Sequence, residues 1–261
     1  MADLLPLNLP TRHNDKLRRL VARVDQDVEL HTMWQCANVN AVGRTGITDH
    51  GEVHIKIVTN IAIKLLRLLL EAGVPMGVVR DHELTSDEAE VIVCLAACLH
   101  DLGISIHRSN HEQYSLFLAD RKARELLDGL YEIRERTILV AETLHAVIAH
   151  RSDVECLTTE AGVVKVADAL DITEGRSRIP FEAGKTDIHA ISAMAIDRVD
   201  IRKGEETPIV VEIAMNNSAG IFQVDELLKR KLRGSSIAPY VRVLARIEGE
   251  TDKHIVEFYS I

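Results

Sequence analysis

Aromatic residues are scarce in this chain, with four Phe, four Tyr and one Trp among 261 residues. Cysteine is scarce too, at four. That is too few for a disulfide scaffold at this length, so a cytoplasmic protein is expected. No apolar run reaches bilayer-spanning length without a charge; the densest, from Ile61 to Leu70, contains Lys64 and Arg67. No membrane partner is therefore expected. The opening MADLLPLNLP lacks the basic start, long apolar stretch and small-residue cleavage site of an export signal. Basic charge is in deficit, 31 Lys and Arg against 40 Asp and Glu, for a net charge of −9. This balance argues against a protein whose main task is to wrap nucleic acid. An apolar content of 46% with 27% charged residues excludes a disordered tail protein, and the length suits one large domain or two modest ones. Histidine is abundant. The 12 histidines outnumber Phe, Tyr and Trp together, and metal binding is the first explanation to test.

The first two thirds read as helices. Asp49 with Glu52 three residues on resembles a capping box before an apolar run from Ile55 to Leu70, which stops at Ala72-Gly73 with Pro75 beyond. A second helix starts near Thr85 to Glu88 and runs to about His100; it is apolar nearly all round and should be buried. Ser109 and Glu112 are spaced as the capping box of a third helix that ends near Asp128-Gly129. A fourth covers roughly 130–150 and a fifth roughly 159–174. After Pro180 the period changes to two. Strands are expected over 195–202, 208–215, 240–247 and 254–261, with a helix over 221–233 between the second and third. The expected architecture is mainly α over 1–185, followed by a small α+β domain over 186–261 with an antiparallel or mixed sheet.

Several costly residues fall on inward faces. His54 shares a stripe with Ile57, Val58, Ile61 and Leu65; His100 and Asp101 end the buried second helix; Asp168 lies on the face of Val164, Ala167 and Ile172. A carboxylate there must be paired, hydrogen-bonded or bound to a cation. Two imidazoles and two carboxylates make a ligand set suited to Zn, Mn or Fe. His111, in the first turn of the third helix, and His150, ending the fourth, extend the set, with Asp101 bridging to a second ion. Such an ion lowers the pKa of bound water to about 7, and two ions clamp both the attacking and the leaving oxygen.

The order His54, His100-Asp101, His111, His150 and Asp168, with the contexts CLHDLG and KVADAL, resembles the HD-domain metal-dependent phosphohydrolase superfamily. The resemblance covers roughly residues 50–180. Within that superfamily the settings HEQYS at His111, VIAH at His150 and ITEGR after Asp168 are most similar to the bacterial diadenosine tetraphosphatase branch. Two departures stand out. Ile104 and Ser105 occupy the place of a lysine common after the HD pair, and Arg151-Ser152-Asp153 follows His150, with no HH pair and no GYP.

The resemblance implies one or two divalent ions (Mn, Fe, Mg or Zn) and hydrolysis of a phosphate ester or anhydride, in a small phosphorylated substrate such as a nucleotide. Asp101 would bridge the ions or orient the water, His107 would touch the substrate or brace a ligand, and Arg176 and Arg178 would neutralise phosphate charge. Two alternatives use the same ligands: a di-iron oxygenase of HD type, and a non-catalytic nucleotide-sensing module with a structural metal. His145 competes with His111 and His150 as a ligand. Cys94 and Cys98 read as core packing. The basic run Lys229-Arg230-Lys231-Leu232-Arg233 reads first as a solvated helix face. A homo-oligomer formed by extending the tail's sheet stays open.

Overall fold

The fold is that of a computed structural model, which describes residues 4–11, 13–172, 192, 194–248 and 258–260. Eight α-helices precede the first strand among these residues: α1 Asp15–Val24, α2 Val28–Asn38, α3 Glu52–Glu71, α4 Gly77–His82, α5 Ser86–Leu99, α6 His111–Leu127, α7 Ile133–Ala149 and α8 Thr159–Ala169. The hub is α5. From Glu88 to Leu99 all its residues are buried, and it packs against α3, α7 and α8. Thr85 and Glu88 close a capping box at its start, which satisfies orphan amides in the exposed first turn of an otherwise buried helix. Burying each Leu, Ile or Val there contributes about 1.5–3 kcal/mol. Trp34, the one tryptophan, is buried against this hub with its Nε1 donating to the Cys98 carbonyl at 2.9 Å.

Helix α3 ends as its sequence predicts, with Gly73 at φ 75° and the Val74 amide returning to the Leu69 carbonyl at 3.0 Å. Its start differs. Gly51, not Asp49, is the N-cap residue, and the Asp49 carboxylate instead accepts from the backbone amide of His54 at 3.0 Å. The inward stripe is also rotated: Ile57 is exposed, while His54, Ile55, Val58, Thr59 and Ala62 are buried. The start of α6 departs in the same way. Asn110, at φ 60°, is the N-cap residue and Ser109 makes no cap; the Ser109 amide donates to the Nδ1 of His107 at 3.0 Å.

Beyond the helices lies a four-stranded sheet in the order β1-β2-β3-β4, made of Ile196–Lys203, Ile209–Met215, Val241–Ile247 and Phe258–Ser260. The sheet is mixed. β1–β2 and β3–β4 are antiparallel, whereas β2–β3 is parallel with Ile209 opposite Val241. A parallel neighbour needs a crossover. Helix α9, over 220–233, supplies it, with π-helical turns at Gln223–Leu228 and an α-helical end at Lys229–Arg233. Central β2 is buried at every position except Glu212, as expected for a strand covered on both faces. Apolar residues of the helices and of the sheet belong to one contiguous core. Residues 254–257, part of the fourth expected strand, and Arg176 and Arg178 lie outside the described residues.

Candidate metal centre

Five helices and one turn bring the inward polar residues to a single place. His54 comes from the first turn of α3, His100 and Asp101 from the end of α5, His111 from the start of α6, His150 from the end of α7 and Asp168 from α8. They form two groups able to hold an ion: His54, His100 and Asp168, and Asp101, His111 and His150, with all six residues buried.

Asp101 joins the groups by dividing its oxygens. Its Oδ2 lies 3.4 Å from His54 Nε2 and 3.3 Å from His100 Nε2. Its Oδ1 lies 3.2 Å from His111 Nε2 and 3.8 Å from His150 Nε2. The residue sits at φ −102°, ψ 6°, in the sparsely allowed bridge region where active-site residues are often found. The turn that follows, Leu102–Ser105, is held by Ser115 of α6, which donates to the His100 carbonyl at 2.6 Å and accepts from the Gly103 amide at 2.8 Å. Gly103 is required here. A Cβ at this position would stand 2.0 Å from the His111 carbonyl oxygen and 2.6 Å from the Ser115 amide. The glycine of the HDLG run thus lets the Asp101 turn touch the helix that carries His111.

Most of the rings are oriented through Nδ1. His100 Nδ1 lies 2.9 Å from the Ala97 carbonyl and His150 Nδ1 lies 2.5 Å from the Val147 carbonyl. A carbonyl can only accept, so each ring carries its proton on Nδ1 and presents Nε2 inward. His54 Nδ1 faces the buried Asp171 carboxylate at 2.6 Å. Asp171 escaped the sequence reading, although its place one helical turn after Asp168 in ADALD was a usable signal.

The centre fits a cation. Among the described residues, the Nε2 atoms of His54 and His100 are buried and make no hydrogen bond. Asp168 Oδ1 lies 3.5 Å from the first and 3.7 Å from the second. Two orphaned nitrogen lone pairs and two carboxylates converge, which is the donor set of a divalent transition metal. Without the ion, protons carry part of this load. Burial opposes a charge on His100, but the Asp101 and Asp168 carboxylates outweigh it and raise its pKa to about 10. Burial likewise disfavours ionised Asp101, yet the surrounding histidines, His100 foremost, hold it well below the ordinary carboxylate range. Asp168 is held low against burial by Lys231 and then His100. His150 is kept neutral, first by burial and then by the charges of His100 and Lys231.

The remaining expected residues stand elsewhere. His107 is exposed and turned to the Ser109 amide, so it belongs to neither group; its neighbour Arg108 is the residue that reaches His111, with Nη1 2.7 Å from Nδ1. His145 accepts from the Leu157 amide at 3.0 Å and ties α7 to the segment before α8, which leaves the ligand positions to His111 and His150. Buried His50 packs beside His54 with ring centroids 5.3 Å apart. His31, which the sequence marks as ordinary, is buried against Glu52 at 2.9 Å. The basic run of α9 is not simply a solvated face, since Lys231 pairs with Asp168.

The family model for the HD domain matches residues 52–173, a span that holds all six converging residues. The chain belongs to the HD-domain superfamily of metal-dependent phosphohydrolases. It is also 42% identical over 222 residues to uncharacterized protein MJ1020 of Methanocaldococcus jannaschii, which covers 85% of this chain and 86% of the relative. Only 173 residues precede the end of the HD domain, so that likeness runs on into the sheet. Among the described residues, no helix is long and apolar enough to cross a membrane.

Proposed function

We propose that the protein is a metal-dependent phosphohydrolase that cleaves a phosphate ester or anhydride, with a nucleotide as the substrate class. One observation carries this reading: the Asp101 carboxylate faces two histidines through each of its oxygens. His54, His100 and Asp168 would hold one divalent ion, and His111 and His150 a second, with Asp101 shared between them. A divalent ion supplies a strong nucleophile from water at neutral pH and offsets charge on phosphoryl oxygens.

The chain's own residues do the rest. Backbone carbonyls of Ala97 and Val147 fix two imidazoles in the tautomer that offers Nε2, so little reorganisation is needed when charge develops. Burial of all six residues removes competing water and strengthens each electrostatic contact. Exposed Arg108, and Arg151 following His150, stand in the chain beside the second group, where a guanidinium fork can meet a phosphate oxygen. A Mn, Fe, Mg and Zn panel of phosphatase and phosphodiesterase substrates on wild type and Asp101→Ala tests the reading. Wild type is expected to hydrolyse a nucleotide substrate, and the variant to lose at least about 100-fold in rate, more than outer partners of a metal usually cost. Hydrolysis that survives in Asp101→Ala, in a protein that still unfolds cooperatively, would sink it.

A further inference from the structure

Asp168 splits its carboxylate much as Asp101 does. Oδ1 faces His54 and His100, while Oδ2 receives the ammonium of Lys231 from α9. That lysine is not needed to dock its helix. Leu228 and Leu232 of α9 are buried, Lys165 Nζ donates to the Gly234 carbonyl at 3.1 Å, and Ser236 Oγ donates to the Thr158 carbonyl at 2.6 Å. Gly162 of α8 lies so close to Ser236 that a Cβ there would stand 2.3 Å from its hydroxyl. The Lys231 side chain keeps 23% of its surface exposed, beside an Asp168 side chain at 11%. It therefore stands between the buried carboxylate and water, at the rim of the centre.

We propose that Lys231 is a phosphate-binding residue of this centre, delivered by the C-terminal part of the chain: it neutralises Asp168 when no ion is bound and donates to a phosphoryl oxygen once a divalent ion has taken that carboxylate. The phosphate role rests on the phosphohydrolase reading; the pairing with Asp168 does not. An ammonium is suited to the task because it is a compact charge with three donors and can leave a carboxylate for a phosphate without losing hydrogen bonds. The site of hydrolysis is then incomplete in the HD domain alone.

The two roles of Lys231 make opposite predictions for one substitution. Calorimetric titrations of Mn(II) into the full-length ion-free protein, and of inorganic phosphate and pyrophosphate into the Mn(II)-loaded protein, separate them. Lys231→Met is expected to bind Mn(II) about 3- to 10-fold more tightly, since a competing cation is gone. The same variant is expected to bind phosphate about tenfold or more weakly, and Lys231→Arg to restore phosphate binding. A residue that only braced the fold would weaken both or change neither. If Lys231→Met binds Mn(II) no more tightly, or binds phosphate as well as wild type does, the assignment is wrong. If loaded wild type binds neither phosphate nor pyrophosphate, the phosphohydrolase reading falls, and the phosphate role of Lys231 falls with it.

Discussion

The two halves of the centre share Asp101 but are held in different ways. In the group of His54, His100 and Asp168, each side chain is braced from behind: by Asp171, by the Ala97 carbonyl and by Lys231. Both imidazoles are fully buried. In the group of His111 and His150, the Val147 carbonyl backs His150 without a rival, whereas His111 Nδ1 is contested between the Arg108 carbonyl and the Arg108 guanidinium. His111 is the first residue of α6 and follows Asn110 at φ 60°; residues 106–110 are exposed. Preorganised ligands lose less on binding. On the proposed reading, the first group would keep an ion and the second would accept one from the solvent side.

The largest expected break comes at Gly103→Ala, because it strikes the contact between the Asp101 turn and the helix that carries His111. The new methyl would collide with the His111 carbonyl and the Ser115 amide, both backbone atoms that cannot swing away. A loss of about 3 kcal/mol or more is expected from such overpacking. Urea unfolding measures it, and metal analysis after dialysis should find the first ion kept and the second lost. If both ions remain and stability is unchanged, the two halves are not separately supported.

Asp171→Asn acts on the other half. It removes the charge that faces His54 Nδ1 at 2.6 Å while keeping the shape. Carboxylates behind ligating histidines raise ligand basicity, and losing one typically costs about 10–100-fold in metal affinity. The tighter Mn(II) site should weaken by that factor in calorimetry while the weaker one holds its affinity.

How much of this was legible beforehand follows from the kind of signal each residue left. The six converging residues could be read because each is polar on an apolar face, and burial makes such residues expensive. The order of strands and helix in the tail was legible because a period of two is strong. The parallel pairing of β2 with β3 was not, since strand direction leaves no mark in alternation. Asp171 and Lys231 were missed for another reason. Their roles come from partners 117 and 63 residues away in the chain; spacing from Asp168 was a local signal for Asp171, while nothing local distinguishes Lys231 from a surface lysine. Ser109 and Asp49 misled because capping patterns describe what a side chain can do, and other local hydrogen bonds form at both places instead.

Proton competition gives a smaller, graded difference between the halves. In the ion-free protein burial works against a charge on His100, but Asp101 and Asp168 lift its pKa from 6.5 to about 10. A pKa raised on folding stabilises fully below about pH 6.5, and that stability is lost as pH rises through about 10. An ion at the first group must expel this proton, so its affinity is expected to rise with pH across that window, by up to about tenfold per unit. His150 is shifted the other way, chiefly by burial, and has no proton to release there. Calorimetry between about pH 7 and about pH 9 should show the slope at the tighter site; a flat profile would remove His100 from the ligands.

Arg108→Ala should have the smallest effect, and its sign is informative. His111 Nδ1 lies 3.0 Å from the Arg108 carbonyl, which can only accept, and 2.7 Å from the Arg108 guanidinium, which can only donate. The carbonyl favours a proton on Nδ1 and leaves Nε2 free for an ion. The guanidinium favours the opposite tautomer and adds a positive charge beside the ion's place. Removing the side chain keeps the carbonyl and deletes its rival. The weaker Mn(II) site should therefore tighten by about two- to fivefold, the lower part of the range of one ordinary net hydrogen bond, while the tighter site does not change. Weakening of that site instead would mean that the guanidinium braces His111, and that the second half is held from behind after all.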